Sequence, residues 1–178
     1  MAKKDYVLES ALKGDMDALE NVLGGLLSPL FDLAFHFYDD VTRANACVAD
    51  VLKKTANKIV ENDLDGMKPI LVAAKFQCSD LAQEAMSRGS WHEFLSGLSA
   101  DSFLAFLTHL SLDLHDDELD RVLGLDHELG NSMNRDCLDE SKIPLEEWRD
   151  IFDSHALQAN LPVGLVDSIV TEIEDKES

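Results

Sequence analysis

Three side chains in the second half of the chain have a spacing that could bind a metal ion. His109, Asp113 and Asp116 would lie on one face if a single helix ran through all of them. The apolar pattern around them ends near Ser111, so we expect the helix to stop before these side chains converge. The run at 115–117 has no histidine-rich context. The sequence therefore predicts no metal site here.

Other reactive groups are sparse and isolated. The chain contains no glycine-rich phosphate loop, nucleophile elbow or Cys-His pair. Cys47, Cys78 and Cys137 lie far apart on or beside apolar helical faces, which favours small buried thiols in a reducing compartment. The amino terminus lacks the apolar core of a signal peptide. We predict a cytoplasmic protein that is not an enzyme and needs no cofactor.

Charge is the strongest compositional signal. The chain has 15 Lys and Arg against 35 Asp and Glu, a formal net charge of −20. Residues 1–97 carry 10 basic and 15 acidic side chains, whereas residues 98–178 carry 5 basic and 20 acidic ones. A field of this sign repels phosphate backbones, because nucleic-acid affinity depends largely on Lys and Arg. The second half is therefore a poor candidate for unaided DNA binding.

The elements that would hold any functional surface are all helices. Apolar residues recur at helical spacing with capping residues, prolines and glycines between the runs, and no strand pattern emerges. The class is therefore all-α. The predicted helices span 6–12, 18–37, 41–59, 69–86, 101–110, 114–123, 127–138, 144–157 and 161–173.

The second helix has a weak middle. Gly24, Gly25 and Pro29 predict a kink or break there. Polar residues also interrupt the apolar run 24–37, so we expect it to fall short of a membrane span.

Five short motifs follow one another at a characteristic spacing. They are Lys13-Gly14-Asp15 with Ala18-Leu19, then Pro29, the run 40–52 (DVTRANACVADVL), Ala74-Lys75 with Asp80, and finally Leu98 followed by Glu118-Leu119 and 122–125 (VLGL). Together they resemble RNA polymerase sigma factors of the extracytoplasmic-function group over about residues 8–138. The resemblance implies a helical bundle similar to sigma region 2 at 1–88 and a linker at 89–97. A helix-turn-helix domain similar to region 4 would follow at 98–140, with a helical extension at 141–178.

The resemblance also implies a protein-binding surface on the helix that follows the Asp39-Asp40 corner. In the family this surface contacts a polymerase coiled coil or an anti-sigma factor. The matching positions here are Asp39, Asp40, Arg43, Asn45, Val48 and Asp50. An acidic pair usual in the family is replaced by Asn45-Ala46, and a glutamine by Ala49.

In the helix that would read a promoter, the family's basic pattern is replaced at 129–133 by LGNSM. Polar side chains remain at Asn131, Ser132, Asn134 and Arg135, among acidic neighbours. A recognition helix must bring donors to phosphates and base edges, and this degenerate one offers few. The resemblance thus implies that the helical scaffold is retained and that binding to promoter DNA is weakened.

Three functions remain open on the sequence. The first is a regulator that binds an anti-sigma factor or a polymerase subunit without reading a promoter. The second is a divergent but working sigma factor, and the third is an unrelated helical interaction module. The final helix could pack on the second domain or fill a groove of a partner. We expect it to pack within the chain, where it could act as a lid if it covers the helix-turn-helix.

Overall fold

The structure is a computed structural model that describes residues 5–83, 100–124, 138–139, 141–156 and 159–177. Across these residues every regular element is an α-helix, as the sequence predicts. The helices are α1 (Tyr6–Ala11), α2 (Met16–Tyr38), α3 (Val41–Val60), α4 (Pro69–Gln83), α5 (Ala100–Leu112), α6 (Asp116–Leu123), α7 (Leu145–Ala156) and α8 (Leu165–Glu177).

Helix ends fall where the local chemistry favours them. The Asp15 carboxylate accepts a hydrogen bond from the Ala18 N–H at 3.1 Å and so caps α2. Pro69 begins α4, where a missing N–H costs nothing. Gly124 ends α6 with a φ of +67°, a conformation that glycine adopts without strain. These signals are readable from sequence alone, and the structure confirms them.

Helix α2 is the axis of the fold. It packs against α1, α3, α4, α5, α7 and α8. From Leu30 to Tyr38 every side chain is buried except Asp32, which is half-buried. A helix that is apolar on all sides must be enclosed by others, and six helices pack against α2.

The predicted weak middle of α2 does not break the helix. Gly24, Gly25 and Pro29 lie inside one continuous element of 23 residues. Leu26 and Leu30 on either side of Pro29 are buried. Their packing stabilises the helix beyond what local propensity supplies, and the prediction of a break is therefore wrong.

The prediction that the apolar run in α2 falls short of a membrane span also needs correction. Helix α2 is long and apolar enough to cross a membrane by length and composition, despite its polar residues. Half of its most apolar window is buried inside the protein, however. The core helix of a folded protein and a signal sequence near the amino terminus both pass the same test.

The two glycines of α2 offer a simple stability test. A Cβ added at Gly24 or Gly25 would meet no atom within 4 Å. We expect Gly25→Ala to raise the free energy of unfolding by about 0.5–1 kcal/mol, because alanine loses less backbone entropy on folding. Urea denaturation followed by circular dichroism measures this. Gly124→Ala serves as the opposite control and should destabilise, since its φ is positive.

The apolar core extends across the boundary predicted near residue 88. One cluster joins buried residues of α1–α4 with residues of α5–α8, among them Phe37 and Phe103, whose ring centroids are 6.3 Å apart. The linker at 89–97 lies outside the described residues, as does nearly all of the predicted helix 127–138. The division into domains therefore stays a prediction.

The carboxyl-terminal extension packs within the chain. Helix α7 contacts α2 and α5, while α8 contacts α2 and α3. Lys53 on α3 forms an ion pair with Glu172 on α8 at 2.6 Å. Helix α8 begins later than the predicted residue 161, because Gly164 has a φ of +72° that a right-handed helix does not allow.

Candidate protein-binding surface

Two aspartates make the turn between α2 and α3, which we call the acidic corner (Asp39 and Asp40). Asp39 ends α2 in the left-handed conformation, with a φ of 51° and its N–H donating to the Phe35 carbonyl at 2.7 Å. Asp40 then caps α3 by accepting from the Arg43 N–H at 2.9 Å. Aspartate suits both positions, because its short side chain bonds to nearby backbone and tolerates a positive φ. Both side chains are exposed.

An open groove lies between α3 and α4 beside this corner. It encloses about 470 Å³ and is lined by Tyr38, Arg43, Ala46, Cys47, Asp50, Asp80 and Gln83. We call it the α3–α4 groove. The Arg43 guanidinium carbon lies 4.3 Å from the centroid of the Tyr38 ring. This cation–π contact holds a long, otherwise mobile side chain against the groove wall.

A single lysine ties the two walls of the groove together. Lys54 Nζ lies 2.7 Å from Asp50 Oδ2 and 2.8 Å from Asp80 Oδ2. These hydrogen bonds, to Asp50 first, raise the pKa of Lys54 above its ordinary value. Exposed pairs of this kind add little to stability, so their main effect is to hold both carboxylates in place.

The surface as a whole is acidic. The corner and the groove carry four carboxylates and two cations: Asp39, Asp40, Asp50 and Asp80 against Arg43 and Lys54. Such a surface attracts a partner that presents basic side chains and repels phosphate backbones.

The six residues assigned to this surface do not share one environment. Asp39, Asp40 and Asp50 are exposed, and Arg43 is half-buried over Tyr38. Asn45 is half-buried, and its Oδ1 has no hydrogen-bond partner among the described residues. Val48 has 0% exposure. The prediction that Val48 lies on the binding surface is therefore wrong, because its side chain faces the core and can support the groove only from beneath.

Helix α7 reaches the acidic corner from the far end of the sequence. His155 Nε2 lies 2.9 Å from Asp39 Oδ1. The His155 ring stacks on Phe35, with centroids 4.7 Å apart, and lies 5.1 Å from the ring of His36. His36 is buried, with its Nε2 3.1 Å from the Phe152 carbonyl oxygen and its Nδ1 against the Asp32 carbonyl oxygen.

Burial shifts two pKa values in this α2–α7 contact. Burial lowers the pKa of His36 from 6.5 to about 4, although hydrogen bonds to the Phe152 and Asp32 carbonyls oppose the shift. Burial also raises the pKa of Asp32 from 3.8 to about 6, and the charge of Asp153 on α7 adds to the effect. At neutral pH the site therefore holds a half-buried carboxylate and a neutral imidazole, which can donate to only one of these two carbonyl oxygens.

The residues first considered for metal binding are separated by the chain path. Helix α5 ends at Leu112, and Asp113 follows with a φ of +47°. The helical face that His109, Asp113 and Asp116 would need is therefore absent, while Asp113 pairs with Arg149 on α7 at 2.7 Å. No group of three His, Cys, Asp or Glu that could hold a metal ion occurs among the residues that the structure describes.

The cysteines that the structure describes are thiols. Cys78 is buried as the sequence predicts, with its Sγ 3.4 Å from Thr108 Oγ1, and burial raises the thiol pKa to about 12. Cys47 is half-buried on the groove wall. Cys137 and the degenerate recognition residues Asn131, Ser132, Asn134 and Arg135 lie outside the described residues.

Sequence reasoning missed three contributors to this surface: Tyr38, Lys54 and His155. Tyr38 and Lys54 lie close in sequence to the predicted residues, and a lysine four residues after Asp50 on a helix is a readable pairing signal. His155 gave no such signal, because 116 residues separate it from Asp39.

No protein-family model, curated protein or solved structure matches this chain. The likeness to sigma factors therefore rests on the five motifs alone.

Proposed function

We propose that this chain is a regulatory protein on a sigma-factor-like helical scaffold, which acts by binding another protein through the acidic corner and the α3–α4 groove. The observation that carries the proposal is an open groove of about 470 Å³ at the position where the resemblance implies a partner surface. The partner is an anti-sigma factor or an RNA polymerase subunit that presents basic side chains to this face.

The charge distribution favours protein binding over promoter binding. The second half of the chain carries a net charge of −15 and keeps few donors on its degenerate recognition helix. Phosphate contacts supply most of the affinity of DNA-binding proteins. Tight binding of the purified protein to promoter DNA at moderate salt would contradict the proposal.

The first experiment is an affinity pull-down of the tagged protein from its native lysate, with co-eluting chains identified by mass spectrometry. A small helical anti-sigma protein without polymerase would support a decoy regulator. Polymerase β and β′ subunits would favour a working sigma factor or a polymerase-bound regulator. Transcription restored in vitro with the matching core enzyme would establish the working sigma factor.

A charge-reversal pair makes the pull-down specific to the surface. Asp50→Lys places a cation among the groove carboxylates, and we expect recovery of the partner to fall about tenfold or more. Glu20→Lys is the matched control, with the same charge change on an exposed residue roughly 27 Å along α2 from Tyr38. Equal recovery with wild type, Asp50→Lys and Glu20→Lys would remove the groove from the proposal.

A further inference from the structure

The sequence suggested that the carboxyl-terminal extension could act as a lid if it covers the helix-turn-helix; the contacts of α7 point to a role at a second place, the acidic corner. Helix α7 contacts the acidic corner through a directed interaction between His155 Nε2 and Asp39 Oδ1 at 2.9 Å. The Asp39 side chain nevertheless remains 38% exposed, whereas that of His155 is only 9% exposed. The carboxylate is therefore held from inside the protein and still presented to solvent.

We propose that α7 is part of the partner-binding surface, in which the buried imidazole of His155 positions the Asp39 carboxylate for a basic group of the partner. The inference rests on the proposed function and names the element that organises its site. His155 is a positioning residue, since it acts through Asp39. The extension at 141–178 then contributes to the partner-binding surface.

Two features indicate that the acidic corner depends on the contact between His155 and Asp39. Asp39 has a φ of 51°, which aspartate tolerates better than most residues but still at some cost in free energy, so a contact that holds its side chain favours this conformation. His155 is in turn fixed by stacking on Phe35 and by the adjacent ring of His36. Side chains that are locked by packing hold their hydrogen-bond partners in a defined geometry, which lowers the entropy lost on binding.

Two substitutions separate the hydrogen bond from the packing of the ring. His155→Phe keeps an aromatic ring beside Phe35 but has no donor for Asp39. His155→Gln has an amide that can donate from nearly the position of Nε2 but lacks the ring. If His155 positions Asp39, the Asp39 side chain is held less firmly in the phenylalanine variant and about as firmly as in wild type in the glutamine variant.

The first readout needs no partner. Hydrogen–deuterium exchange of the segment 38–44, followed by mass spectrometry, reports how firmly the corner is held. We expect exchange about three- to tenfold faster in His155→Phe and close to wild type in His155→Gln. Unchanged exchange in His155→Phe would overturn the inference, because His155 would then act only by packing.

The second readout is binding to immobilised core RNA polymerase. We expect His155→Phe to bind about tenfold more weakly and His155→Gln to bind within about twofold of wild type. Tighter or unchanged binding by His155→Phe would also overturn the inference. If wild type does not bind the polymerase and recovers no partner in the pull-down, the proposed function fails, while the exchange measurement still decides whether His155 positions Asp39.

Discussion

Trp148→Ala is expected to lower the free energy of unfolding by about 3–5 kcal/mol. The Trp148 side chain is 1% exposed and fills the contact between α7 and α5. Its ring lies 5.4 Å from that of Phe106 and 6.1 Å from that of Phe152, both edge-on. Truncation to alanine removes these contacts and leaves a cavity that a packed core closes only in part.

The indole also makes a hydrogen bond that a second variant isolates. Trp148 Nε1 donates to Ser141 Oγ at 3.0 Å. Trp148→Phe keeps most of the aromatic packing and loses this bond, so we expect a smaller cost of about 1–2 kcal/mol. Urea denaturation followed by circular dichroism measures all variants.

Glu147→Ala provides the control for these two substitutions. It changes an exposed neighbour on the same helix and should alter the free energy of unfolding by less than about 0.5 kcal/mol. A cost below about 1 kcal/mol for Trp148→Ala would mean that α7 does not pack on α5 as described, and would also weaken the case for its role at the acidic corner.

Asp32→Asn is expected to stabilise the protein at pH 7 by about 1–2 kcal/mol, after allowance for solvent screening of a half-buried group. The carboxylate is partly desolvated and faces Asp153, and its folded pKa of about 6 lies above the ordinary value of 3.8. Asparagine has nearly the same shape without the charge. The substitution therefore removes the cost of keeping this site ionised.

The advantage of Asp32→Asn should disappear in acid. A raised folded pKa means that the folded protein binds the proton more tightly, so the cost of Asp32 is present above pH 6 and vanishes as the pH falls towards 3.8. We expect the difference between the variant and wild type to shrink steadily from pH 7 to about pH 4. Denaturation curves at several pH values measure it.

His36 has the opposite dependence, and its ring contacts the backbone carbonyl of Asp32. Its folded pKa of about 4 lies below the ordinary 6.5, so its contribution to stability is present above pH 6.5 and is lost as the pH falls towards 4. In wild type the two effects oppose each other over nearly the same range. The Asp32→Asn variant lacks the effect of Asp32 and keeps that of His36. The stability of this variant should therefore fall more steeply than that of wild type between pH 6.5 and 4.

Asp150→Asn is the control for the pH series, because it is the same substitution on an exposed residue of α7. Its difference from wild type should stay small at every pH. A difference between Asp32→Asn and wild type that is equally large at pH 7 and pH 4.5 would contradict the assignment of the effect to ionisation of Asp32.

The sequence by itself determined most of the helices that the structure describes, and their order. Helical periodicity, aspartate caps, Pro69 and Gly124 act within a few residues, and the structure confirms the elements they predict. The corner at Asp39 and Asp40 was readable for the same reason, because both residues cap helices through their own neighbours in the chain.

Only the tertiary structure decided which helices lie together and what they bring to the corner. Helix α2 continues through Pro29 because buried leucines on both sides hold it, a contribution that local propensity does not contain. Val48 belongs to the core, although its neighbours Cys47 and Asp50 line the groove. His155 meets Asp39 because α7 folds back onto α2. Contacts between residues so distant in sequence depend on how whole helices pack, and no local pattern encodes them.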